Sequence, residues 1–159
     1  MTVASMIKSH ELFRALSFEE IERVSGYSGA KNYDAGGIVY QRHDRATHFF
    51  VVLEGKVHIK LPSTDGECQL LVGRMEKGDI FGLSPFLGFE SFMATAQCAC
   101  KSSVLAVEAA PFRLLLEDNS AVGLRVNNII AKAYFSRYLE TLARFQHVLD
   151  GLSPSSASA

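Results

Sequence analysis

The chain has 159 residues, of which 48% are hydrophobic and 21% charged, and a formal net charge of −1. That balance suits one globular domain with a buried core plus an appended element. It excludes bulk electrostatic attraction to nucleic acid or an anionic membrane surface, and no apolar run reaches transmembrane length. Three cysteines, an odd number, give no disulfide framework. The opening MTVASMIKSHELF lacks the basic-then-apolar pattern of a signal peptide, so the expected compartment is the reducing cytoplasm.

In chain order, residues 5–16 (SMIKSHELFRAL) set Met6, Leu12, Phe13 and Leu16 at roughly helical spacing. Ser17-Phe18-Glu19-Glu20 is a capping-box sequence: the Ser17 hydroxyl is free to accept from the Glu20 amide. It opens a second short helix with an apolar stripe of Phe18, Ile21 and Val24, ending near Gly26. From Lys31 to Val107 the pattern changes to short strands broken by turns. Ile38 and Tyr40 alternate, His48–Leu53 is a continuous apolar run, and Val57, Ile59 and Leu61 alternate after the Glu54-Gly55 turn. A hairpin loop, Pro62–Gly66, leads to Cys68, Leu70 and Val72 in alternation. Such spacing of strands and turns indicates a sandwich or barrel.

After Pro111 a short helix is expected over Phe112–Glu117, and then a long one capped by Ser120 and reaching about Leu149. Leu124, Asn128, Ala131, Phe135, Tyr138, Leu142, Phe145 and Leu149 follow one another at gaps of 4, 3, 4, 3, 4, 3 and 4, an unbroken heptad stripe. An offset stripe of Val122, Val126, Ile129, Ile130 and Ala133 is assigned to packing on the β domain, and Lys132, Arg137 and Arg144 to solvated flanks. One β domain does not cover so long a helix, so its distal half calls for a partner helix. A homodimer through this helix is expected, with Asn128 in the seam fixing register. The organisation expected is N-terminal helices over 1–30, a β domain over 31–110, short and long helices over 111–150, and a disordered tail over 151–159, with 1–150 one structural domain.

The stretch Gly78–Glu108 carries the functional question. A Gly78-Asp79 turn leads into Ile80-Phe81-Gly82, an apolar segment with Pro85 and Gly88 follows, and an alternating strand then puts Phe92, Ala94, Ala96, Cys98 and Cys100 on one side. The layout resembles the phosphate-binding cassette of the cyclic nucleotide-binding domain family, as found in Crp/Fnr-type regulators. The N-terminal helix pair, Gly55, Gly78-Asp79, Gly82 and Phe112-Arg113 also fall in the order and spacing of that family's pattern. The resemblance implies an eight-stranded antiparallel jelly roll, mainly β, with short N-terminal helices and a long C-terminal helix. It also implies a non-catalytic regulatory domain that relays ligand occupancy, or a permanently set state, to an attached or partner effector.

In the family a Gly-Glu pair opens the cassette and Arg-Ser or Arg-Thr closes it, the Glu holding the ribose hydroxyl and the Arg the cyclic phosphate. Gly82 matches the Gly, but Leu83 stands where the Glu belongs and Met93-Ala94 where Arg-Ser belongs. The expected pocket residues are therefore Gly82, Leu83, Ser84, Met93, Ala94 and Thr95, without the usual ions. Cyclic AMP or GMP is not expected to bind in the usual way, because a buried phosphate without a cation or several amides is costly to desolvate. Phe86, Phe89 and Phe92 either fill this pocket, the favoured reading, or line a site for haem or another apolar effector. The resemblance also implies a helix-turn-helix domain beyond this chain, so either a truncated regulator or a stand-alone sensor is expected, with no nucleic acid bound by this segment itself.

No catalytic motif is found, and no metal or resident cofactor is expected. His43 and His48 before Glu54-Gly55 superficially resemble a cupin's metal ligands, but at a spacing of five they face opposite sides of one strand. Cys68, Cys98 and Cys100 have the surroundings of small apolar strand residues.

Overall fold

The apolar run His48–Glu54 forms β3, a strand buried on both faces. Phe49 and Val51 point to one hydrophobic cluster, Phe50 and Val52 to another. That double burial is why the segment is continuously apolar where its neighbours alternate. The computed structural model describes residues 1–152. Before β3 lie β1 (Ser28–Tyr33) and β2 (Ile38–Tyr40); after it come β4 (Val57–Pro62), β5 (Gln69–Met75), β6 (Ile80–Phe81), β7 (Thr95–Cys98) and β8 (Ser102–Glu108). They form two four-stranded sheets of order β1-β8-β3-β6 and β2-β7-β4-β5, with every pairing antiparallel. This is the expected eight-stranded roll.

Between the sheets pack Tyr40, Phe50, Val52, Val57, Met75, Phe81, Phe92 and Val104. The other face of the first sheet is covered by helices: Phe49, Val51, Leu105 and Val107 meet Phe13, Phe112, Leu115, Val122, Val126 and Ile130. Phe49, fully buried, lies 5.2 Å ring to ring from Phe112 and 6.5 Å from Phe13. α2 (Phe18–Gly26) starts with the expected capping box, the Ser17 hydroxyl accepting from the Glu20 amide at 3.2 Å and Glu20 accepting from the Ser17 amide at 2.7 Å.

Several boundaries differ from expectation. Residues 5–16 do not form one helix: α1 spans Val3–Ser9 and a 3-10 turn spans Glu11–Phe13. The break is at His10, whose backbone is extended; its Nδ1 accepts from the Leu12 amide at 3.1 Å and its Nε2 donates to the Gly78 carbonyl at 2.7 Å. β7 is shorter than the strand expected from Phe92, and Cys98 and Cys100 do not share a face, since Cys98 is buried while Cys100 is exposed in the following turn. The short helix α3 covers Ala109–Asp118, and α4 runs from Ser120 to Leu152. Asn119, not Ser120, caps α4, its Oδ1 accepting from the Val122 amide at 3.4 Å. Gly151 and Leu152, expected in the tail, close α4; residues 153–159 lie outside the described residues.

Along α4, Val122, Val126 and Ile130 are buried and Ile129 and Ala133 pack on the same cluster, as the offset stripe implied. No helix of the described residues is long and apolar enough to cross a membrane.

Candidate functional site

β6 ends at Phe81, and the chain passes through Gly82 and Leu83 into a 3-10 turn, Ser84–Leu87, before Gly88 reverses its direction. Gly82 has φ +68, and a Cβ there would lie 2.8 Å from Phe50 Cδ2 and 3.1 Å from Tyr40 Cε1. Only glycine lets the backbone run this close to those rings in a left-handed conformation. The returning segment is tied to the loop before β3: the His43 amide donates to Phe92 O at 2.8 Å, Phe92 to Asp44 O at 3.0 Å, and Ala46 to Glu90 O at 2.8 Å. Arg113 Nη1 donates to the Pro85 carbonyl at 3.3 Å, fixing the turn against α3.

This segment walls a crevice of about 300 Å³. Tyr40, Ile59, Val72, Gly73, Met75 and Phe81 form its floor; Gly82, Leu83, Ser84, Phe92, Met93 and Ala94 form one side; Tyr134, Arg137, Tyr138 and Thr141 of α4 close it over. The size lies at the small end of ligand pockets. Of the residues expected to line it, Thr95 does not: its Oγ1 accepts from the Arg42 amide at 3.0 Å, on the far side of β7. Leu83 is 2% exposed and shared with the helical core, whereas Met93 is half exposed at the rim.

The three phenylalanines part company. Phe92 is buried and stacks on Tyr40, ring centroids 3.7 Å apart, so it builds the crevice floor. Phe86 turns into the helical core, 5.1 Å from Phe49 and 6.0 Å from Phe112. Phe89 is exposed at the opposite end of the turn. Pocket filling by all three is thus corrected to one residue, because the 3-10 turn ends at Leu87 and Gly88 reverses the chain, so Phe86 lies before the reversal and Phe89 and Phe92 after it.

The larger correction is Arg137. Expected on a solvated flank, it is half-buried and is the one charged side chain among the described residues lining the crevice. Among the described residues its guanidinium makes no hydrogen bond and no ion pair; its carbon lies 5.8 Å from the Tyr134 ring centroid. Burial holds its pKa below the usual arginine value, against the opposing influence of Tyr134, Asp79, Tyr40 and Glu140. Burial likewise pushes the Tyr40 and Tyr134 hydroxyls up, so both stay protonated donors. On its other side Arg137 borders an open crevice of about 530 Å³ with His10, Arg74, Asp79 and Glu140. Arg144 is also no flank residue, since its Nη1 donates to the Leu71 carbonyl at 3.4 Å. The inner stripe did carry the signal: Arg137 and Arg144 stand 4 and 11 residues after Ala133, on the face that stripe defines.

Chemically the crevice offers an apolar, aromatic floor, one cation and phenol donors. It pairs no nucleophile with a base. Among the described residues no three His, Cys, Asp or Glu side chains are placed to hold a metal.

Comparison with known proteins places this geometry. The cGMP-dependent protein kinase of Drosophila melanogaster, isozyme 2 forms cD5/T2, is 24% identical over 119 residues, covering 72% of this chain and 12% of that protein. The chain spans 30% or less of the length of the curated relatives it matches. The sensor domain of the transcriptional regulator DNR from Pseudomonas aeruginosa has the same fold, with a TM-score of 0.71 at 21% identity over 81% of this chain and 91% of that one. So has the regulatory subunit of a cAMP-independent protein kinase A from Trypanosoma cruzi bound to guanosine, with a TM-score of 0.69 at 15% identity over 94% of this chain and 50% of that one. The family model of the cyclic nucleotide-binding domain matches residues 30–119, from β1 to the cap of α4. With more than half of its length so matched, the chain belongs to the cyclic nucleotide-binding domain family.

Proposed function

We propose that this domain is a non-catalytic regulatory module that does not hold cyclic AMP or GMP through the family's usual pair of ions, and that it acts as a homodimer through α4. Leu83 carries the first part. It is 2% exposed at the position where a ribose hydroxyl would need a carboxylate. Stranding such a hydroxyl against a leucine forfeits about 1–3 kcal/mol, and Met93 supplies no charge for the phosphate. The T. cruzi subunit, by its own description cAMP-independent, supports treating the fold and cyclic AMP as separable. For the second part, Phe135, Tyr138 and Phe145 are 61%, 58% and 66% exposed along one stripe, a poor arrangement for an isolated helix in water. The module would pass its state along α4 to an attached or partner effector.

The direct test is a calorimetric titration of the whole chain with cyclic AMP and cyclic GMP. No dissociation constant tighter than roughly 100 μM, equivalent to about −5.5 kcal/mol, is expected. Tighter binding of either would overturn this reading of the cassette.

A further inference from the structure

The crevice contains a charge that the cassette does not supply. An arginine half-buried in an apolar wall, on which Asp79 and Glu140 act only from beyond ion-pair distance, bears a desolvation cost that a bound anion would offset. We infer that Arg137 makes this crevice a site for a compact organic monoanion, a carboxylate on an apolar or aromatic body. The inference rests on the reading that the cassette lacks its usual ions, and deepens it by naming what the crevice takes instead.

Three observations converge. Arg137 is the one charged lining residue among the described residues, so a single negative charge is matched and a second is not. The floor is the stacked Tyr40–Phe92 pair, a flat apolar surface suited to a ring or a short chain. Tyr40, Tyr134 and Tyr138 line the same space and, among the described residues, none of their hydroxyls has a hydrogen-bond partner in the protein. A planar guanidinium with phenol donors beside it fits the two oxygens of a carboxylate. A sugar finds no carboxylate on this side, since Leu83 is apolar and buried.

Phenylacetate and its neutral analogue phenylacetamide are the probes, titrated separately into the full chain and followed by backbone amide NMR. Phenylacetate should bind about tenfold or more tighter than phenylacetamide, the size of a charge-assisted hydrogen bond. The shifts should centre on Gly82, Ala94 and the α4 turn around Arg137. R137Q should erase the preference, R137K should keep part of it, and R144Q, a change at the arginine bound to Leu71, should leave it intact. Equal affinities, shifts centred elsewhere, no binding, or a preference that survives R137Q would each overturn the inference and leave Arg137 as a cover for the Tyr134 ring. Should R137Q fail to fold, the wild-type comparison of the two probes with R137K decides. Cyclic AMP run in parallel separates the two readings. Tight binding of it overturns the cassette reading whatever phenylacetate does, and loss of the carboxylate preference overturns the role of Arg137 whatever cyclic AMP does.

Discussion

Gly82 and Gly55 both hold positive φ, but different obstacles surround them. A Cβ at Gly82 meets the rings of Phe50 at 2.8 Å and Tyr40 at 3.1 Å, side chains packed between the sheets; at Gly55 (φ +88) it meets the Lys101 carbonyl at 2.6 Å and the Ser102 hydroxyl, where backbone itself must move. Left-handed strain alone contributes about 1–3 kcal/mol at a non-glycine residue. Gly82→Ala should therefore cost at least that amount in urea denaturation, and Gly55→Ala distinctly more. Equal losses would show that strain, and not collision, dominates both sites. Gly82 was legible in the sequence because a glycine between an apolar strand and a turn announces such a conformation. Arg137 was legible only in part: its place four residues after Ala133 sets it on the inner face, but arginine on a helix is usually solvated.

At the scale of the element, β3 and α4 were readable for the same reason. The first has too many apolar residues for a one-sided strand, and the second too many for a one-sided helix. The limits of β7 were not readable, because alternation continues through Cys100 although hydrogen bonding to β4 stops at Cys98. Equally hidden was the link between the starts of two helices: Glu20 Oε1 accepts from Asn119 Nδ2 at 3.0 Å while Asn119 Oδ1 caps α4. Glu20 is held below the ordinary carboxylate pKa, first by the Ser17 amide and then by Asn119. A carboxyl whose folded pKa is depressed stabilises fully above its unfolded value, and the contribution fades as pH falls through the folded one. The stability gap between the wild type and Glu20→Gln should accordingly be present at pH 7 and close on acidification below about pH 4.5. A gap independent of pH would mean that the amide replaces the carboxylate without loss. Asn119→Ala removes both contacts at once and should cost about 1 kcal/mol at neutral pH, as loss of a helix cap does.

In the whole molecule, the crevice and the exposed stripe are not separate features, because Tyr138 belongs to both: it closes the crevice and stands between Phe135 and Leu142 on the outer face of α4. Anything that moves Tyr138 inward for a ligand alters the surface offered to a second helix, and pairing of helices alters the ring presented to the ligand. Coupling of this kind is reciprocal in free energy, commonly 1–3 kcal/mol, or about 5–150-fold in affinity. Replacing Phe135, Leu142 and Phe145 together by glutamine removes the apolar seam without bringing a charge near Arg137. The triple variant should sediment as a monomer with unchanged far-ultraviolet dichroism, since none of the three side chains is part of either buried cluster. Its affinity for phenylacetate should also differ from that of the wild type by about fivefold or more. A variant that remains dimeric would place self-association elsewhere on the molecule. A clean monomer whose crevice binds as before would mean that Tyr138 moves for neither partner, and that α4 carries no message between them.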